Sequence, residues 1–133
     1  AVPQGWRQSR TAGIDTDKGN SLRGRLLHHS QTITAAENLD LNDFACRFMI
    51  FSGESVDMIA AVEASLIAEY TPLWNTVIDG FGNNAPGAKR MDGIVPKWHI
   101  LHRGVKWASQ MTGRRANVRT IQKSVMDYMM GLR

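Results

Sequence analysis

The sequence predicts an α+β domain, and three stretches predict it. Residues 43–51, DFACRFMIF, alternate as the two faces of a strand do, with Phe44, Cys46, Phe48 and Ile50 on one side and Ala45, Arg47, Met49 and Phe51 on the other. Residues 52–75 place Val56, Ile59, Val62, Leu66, Ile67 and Tyr70 at three- and four-residue steps, the spacing of one helical face. From residue 118, Val118, Ile121, Val125, Tyr128 and Leu132 repeat that spacing.

A chain of 133 residues makes one domain and has enough length for a core. Hydrophobic residues at 43% and charged residues at 21% suit a globular protein. No apolar run approaches the roughly 20 residues of a membrane helix, and no signal peptide is visible, so no membrane partner is expected. The single cysteine, Cys46, excludes an intrachain disulfide and fits a reducing cytoplasm. The net charge is +4, and eleven of the sixteen basic residues are arginine. Arginine suits forked contacts with phosphates and guanine edges, a modest pointer to nucleic acid.

The chain opens on AVPQGWRQSR, without a methionine, and reads as the continuation of a longer chain. Residues 1–19 are irregular and basic; Trp6 is an anchor for them, and Arg7 and Arg10 are either solvated or in contact with phosphate. A helix starts at Asn20 or Ser21 as cap and runs toward Glu37, with Leu22, Leu26 and Leu27 on its buried side. On it Arg25 and His29 stand one turn apart. The neighbouring His28 points about 100° away from His29, so the two cannot share one ion. The 43–51 strand is apolar on both faces and is expected to be covered on both. The next helix is capped by Ser52 or Ser55, carries Glu54 and Asp57 in its first turn, and ends at Pro72. Glu63 interrupts its apolar stripe, three, four and seven positions from Leu66, Ile67, Tyr70 and Ile59. A carboxylate there costs several kcal/mol unless something compensates it. It is therefore either paired with Arg or Lys, or a metal-binding or catalytic group at the floor of a cleft.

Residues 76–96 form a long Gly-, Asn- and Pro-rich loop, either functional or a flexible excursion. Asn83, Asn84, Lys89 and Arg90 are its candidate nucleic-acid contacts. Residues 97–103, KWHILHR, alternate as a short strand. TGRRAN is a basic turn, and Asn117 caps the final helix. Its stripe faces the core or an oligomer contact, and Arg114, Arg115 and Arg119 near its start invite an anion.

P-loop, dinucleotide, zinc-finger and nucleophile-elbow signatures are absent. Arg25, His29, Glu63 and Asn75 suit phosphodiester hydrolysis. Glu63 can hold Mg²⁺, which needs only one or two protein carboxylates. Arg25 can neutralise developing phosphoryl charge, His29 can serve as base or proton relay, and Asn75 can orient Glu63 or a coordinated water.

Arg25-x-x-x-His29, then helical Glu63, then PLWN ending at Asn75, resembles the catalytic order of the GIY-YIG nuclease family. The likeness extends to Asp79-Gly80-Phe81-Gly82-Asn83, to Trp98-His99-Ile100-Leu101-His102-Arg103-Gly104 and to VPQGWR at residues 2–7. These look like the restriction-endonuclease branch, and more closely the Type II enzymes that cut the palindrome CCGCGG. The resemblance implies a small antiparallel sheet flanked by helices, in an α+β fold, and one divalent ion, Mg²⁺, per active site. It implies that Glu63 is the metal ligand, Arg25 the phosphate-stabilising arginine, His29 a histidine assisting a tyrosine base, and Asn75 the family asparagine. The two name-giving strands and their tyrosines are expected before Ala1, and Tyr70 and Tyr128 sit in the wrong places to replace them. Residues 1–133 are then the C-terminal portion of a single nuclease domain, with DNA-recognition loops inserted at about 76–116, and this portion alone need not cut DNA. The partners implied are double-stranded DNA and a second subunit in a two-fold homodimer, in the bacterial cytoplasm. Lys89, Arg90, His102, Arg103, Arg114 and Arg115 join Arg7, Arg10, Asn83 and Asn84 as DNA-binding candidates. The rival readings are a non-catalytic DNA-binding regulator, although no clean helix-turn-helix is visible, and an interaction module built on the C-terminal stripe.

Overall fold

The computed structural model describes residues 22–51 and 53–131, with the side chain of Val56 left out. Trp6, Arg7 and Arg10, the proposed caps Asn20, Ser21 and Ser52, and Leu132 lie outside the described residues. Helix α1 is Leu22–Ala35, α2 Ile59–Tyr70, α3 Leu73–Thr76, α4 Lys97–Leu101, α5 Lys106–Gln110 and α6 Val118–Met129. Short 3₁₀ turns lie at Leu41–Asp43, Gly53–Met58 and Ala88–Arg90.

Among the described residues there is no strand and no sheet, so the α+β expectation with its antiparallel sheet is corrected: the described fold is all-helical. Two misreadings account for this. A strand satisfies its backbone only through a neighbouring strand, and residues 44–51 have none among the described residues. Phe44 is half-buried and reaches Trp74, with ring centroids 5.8 Å apart. Beyond it Phe48, Met49 and Ile50 are 60%, 66% and 74% exposed, so neither face is covered. The second misreading is 97–103. Pro96, with φ −61°, precedes helix α4, and three consecutive residues, Trp98, His99 and Ile100, are buried. A short apolar run buried all round carries no period that separates strand from helix.

The core centres on Trp98, which is wholly shielded, with Ile78, Phe81, Val95, Met111 and Ile121 around it. Three of these come from the 76–96 loop, so that segment is part of the core. Its path is pinned by the Trp98 N–H donating to the Asp79 carbonyl at 2.9 Å and the Val95 N–H donating to the Arg114 carbonyl at 3.0 Å. The Thr112 N–H donates to the Met91 carbonyl at 2.9 Å. Helix α6 follows its sequence signal. The Asn117 side chain accepts from the Arg119 N–H at 2.9 Å, Ile121 is buried, and Val118, Val125 and Tyr128 are half-buried beside it.

The buried side of α1 differs from the expected one. Leu22 is exposed at the helix start, Leu27 is exposed, and only Leu26 is half-buried. Thr32, Ile33 and Ala36 are the buried residues instead. Where the helix end docks decides this: the Glu37 N–H donates to the Arg103 carbonyl at 2.7 Å, and Gly104 (φ +126°) lies so close that a Cβ there would stand 1.6 Å from the Ala35 carbonyl oxygen.

The α2 stripe is real but shallow. Ile59, Val62, Glu63, Leu66 and Ile67 are half-buried, none is fully buried, and Tyr70 is exposed. Ser55 does not cap α2 itself: a 3₁₀ turn precedes the helix, and its N-cap is Met58, with no side-chain bond. Thr71 closes the helix in the left-handed region before Pro72, and its carbonyl accepts a hydrogen bond from the Tyr128 hydroxyl of α6.

Candidate active site

Positions 25, 29, 32, 33 and 36 fall on one face of α1 and the residue after it; 32, 33 and 36 are buried, while 25 and 29 are half-buried, as are 24, 26, 28 and 30. The lower part is Thr32, Ile33 and Ala36; the upper part is Arg25 and His29, both half-buried. Two polar side chains thus continue an apolar stripe, and Arg25 Nε and His29 Nδ1 are shielded from solvent. His29 stacks on Phe81, with centroids 4.8 Å apart and planes inclined by 17°. Phe81 in turn lies 4.5 Å from Trp74, the residue before Asn75, and 5.4 Å from Trp98. One chain of rings therefore connects His29 on α1 to the short helix α3, which carries the exposed Asn75. Glu63 lies midway along α2 on its half-buried face.

Among the described residues no three His, Cys, Asp or Glu side chains group as a metal cage. A cation at Glu63 would complete its shell with solvent and phosphate oxygens, a donor set that fits Mg²⁺.

The remaining candidates divide by exposure. Lys89 and Arg90 stand on the exposed 3₁₀ turn, and Asn84, Arg103 and Arg114 are exposed, while Asn83 is half-buried. Arg115 is exposed too, and its Nη2 donates to the carbonyls of Ala108 and Met111 at 3.3 and 3.2 Å, at the end of α5. His102 is half-buried against Trp98, centroids 4.9 Å apart. Asn38 Nδ2 donates to the Leu101 carbonyl at 3.1 Å, leaving its Oδ1 to accept from His102 Nδ1–H at 3.0 Å. That network sets the imidazole tautomer.

His99, in the core at 4% exposure, packs edge-on against Trp107. Burial pushes it down to about 4; His102 adds to the fall, and the Gly80 backbone and Asp79 oppose it. Burial likewise pushes His102 down to about 4. Both are neutral at neutral pH, so neither contributes a positive charge toward DNA. A groove between α3, α4 and α6, lined by Leu73, Trp74, Leu101, Val125 and Met126 among others, includes none of Arg25, His29, Glu63 or Asn75.

A family model described as the Eco29kI GIY-YIG domain matches residues 1–129. The chain belongs to that family. The Eco29kI GIY-YIG family is one of restriction endonucleases, so the chain is of a DNA-binding, DNA-cleaving class. No curated protein matches it. Among the described residues no helix is long and apolar enough to cross a membrane. In the DGFGN stretch at residues 79–83, Phe81 packs against His29 and is not among the candidates that the sequence suggests. The signal for it is an aromatic between two glycines.

Proposed function

We propose that this Eco29kI-family chain supplies Arg25, His29, Glu63 and Asn75 to a Mg²⁺-dependent Type II restriction endonuclease that cuts the GC-rich palindrome CCGCGG. The observation that carries the reading is the burial pattern of α1 and α2: Arg25, His29 and Glu63 occupy face positions that packing alone would fill with apolar groups. Each of the three is half-buried and so keeps an opening to solvent through which a substrate phosphate or its cation can reach it. Glu63 holds the ion, which when bound supplies Lewis-acid polarisation of the scissile phosphate. Arg25 carries a planar cation that meets the phosphoryl oxygens as charge builds on them. His29 relays a proton to or from the reacting oxygen, the common role of an imidazole near neutral pH. Asn75 fixes the orientation of the Glu63 carboxylate. The exposed cations Lys89, Arg90, Arg103 and Arg114, with Arg7 and Arg10, hold DNA phosphates and read guanine edges. A palindromic site requires a homodimer in which each subunit reads one half. The enzyme acts in the bacterial cytoplasm.

The test uses the full-length protein and two plasmids, one with a single CCGCGG and one without. Linear product from the first alone, formed with Mg²⁺ and lost on chelation, is the expected result. Cutting of both plasmids, or cutting that survives chelation, contradicts the reading.

A further inference from the structure

We propose that Phe81 is a positioning residue that fixes the plane of the His29 imidazole; the inference rests on the reading of His29 as a proton-transfer group. Phe81 is 5% exposed and presents one ring face to His29 at a 4.8 Å centroid separation and 17° inclination. Trp74 and Trp98 hold it from other sides, at 4.5 and 5.4 Å.

The backbone that carries Phe81 is equally constrained. Its neighbours Gly80 and Gly82 have φ +111° and +68°, values that L side chains rarely adopt. A Cβ at Gly80 would stand 2.3 Å from the Cβ of Pro96. The Asp79 carbonyl accepts from the Trp98 N–H, and the Asn83 N–H donates to the Gly80 carbonyl at 3.2 Å. The ring is thus set by the core and not by solvent.

A stacked imidazole gives up rotation about its terminal torsion, which is otherwise broad. Its two nitrogens then stay in one plane, and proton transfer depends on a nitrogen lying within hydrogen-bond reach of the reacting oxygen. Phe81 also touches Trp74, so the same ring sets the spacing between α1 and the Asn75 helix. It meets no substrate in this role and acts through His29.

The experiment measures single-turnover cleavage against pH, DNA affinity and melting temperature for the full-length protein and its variants. Phe81→Leu removes the stacked face and keeps an apolar filler; Phe81→Tyr keeps the face. In the native background Phe81→Leu is expected to slow cleavage by about tenfold to a hundredfold, the scale of a small misplacement of a catalytic group. Affinity stays the same, the histidine limb of the pH profile moves, and Phe81→Tyr restores the rate. In a His29→Ala background Phe81→Leu is expected to cost nothing further, because residues that act through one another are not additive. An equal loss in both backgrounds, or a loss confined to affinity, overturns the positioning role. Should Phe81→Leu fail to fold, Phe81→Met carries the same comparison. A His29→Ala protein that cuts at the native rate overturns the catalytic reading of His29 itself, and the proposal with it.

Discussion

Arg25, His29 and Glu63 are half-buried polar side chains on the packed faces of α1 and α2, and the functional reading grows from that placement. Their burial is partial, so each keeps a route to a ligand while losing part of its hydration. Replacing His29 by Ala is expected to lower turnover by about a hundredfold or more, the usual contribution of a positioned acid or base, with little change in DNA affinity. Equal losses in both would mark it as a packing residue. The other two described histidines away from α1 behave differently. His99 and His102 have folded values of about 4, against an ordinary 6.5. Between those values the unfolded chain binds protons that the folded chain refuses, so stability rises with pH there. The stabilisation is present above pH 6.5 and is lost as pH falls through 6.5 toward 4. Melting temperatures from pH 7.5 to 4.5 should therefore fall steadily below about 6.5; a flat series contradicts the burial of these rings.

At the scale of elements, one contact sets the register of α1 against the turn after α4. Gly104→Ala adds a Cβ 1.6 Å from the Ala35 carbonyl oxygen at φ +126°. The expected loss is on the order of 3 kcal/mol or more, from strain and overpacking together. Gly87→Ala meets nothing within 4 Å and is the control. Urea midpoints that move equally for the two contradict the docking described. The elements also show what can be read in a sequence and what cannot. The α6 stripe and its Asn117 cap were legible because both signals are local. Glu63 stands out in the sequence because it breaks the apolar period of α2, and Arg25 and His29 because four residues separate them on one helix. The depth of burial along α1 was not legible, since Leu22 and Leu26 share a face with Ile33 but only the C-terminal end, where Ala35 docks on Gly104, is fully covered. Nor was the 43–51 segment, whose apolar alternation is a strand signal that only a pairing partner can satisfy. The core role of Ile78, Phe81 and Val95 was hidden by the surrounding Gly, Asn and Pro, which read locally as loop.

At the scale of the whole molecule, the core is an aromatic hub around Trp98 into which the DGFGN and WHILHRG stretches both feed. Trp98→Ala is expected to cost about 3–5 kcal/mol, the range for emptying a buried aromatic site. A variant that melts within a few degrees of the native protein contradicts the central place given to this ring. Phe81 and Trp74, both within the hub, carry the contacts from His29 toward Asn75, which ties the hub to the proposed site. The family assignment gives a DNA-cutting class; the chemistry proposed here adds a single carboxylate as the protein's hold on the cation. The direct measurement is cleavage and DNA binding by full-length Glu63→Gln beside the native protein at saturating Mg²⁺. The variant is expected to bind DNA as tightly as the native protein, since the phosphate contacts persist, and to make no cut. A Glu63→Gln protein that cuts at a rate near the native one contradicts the role proposed for Glu63.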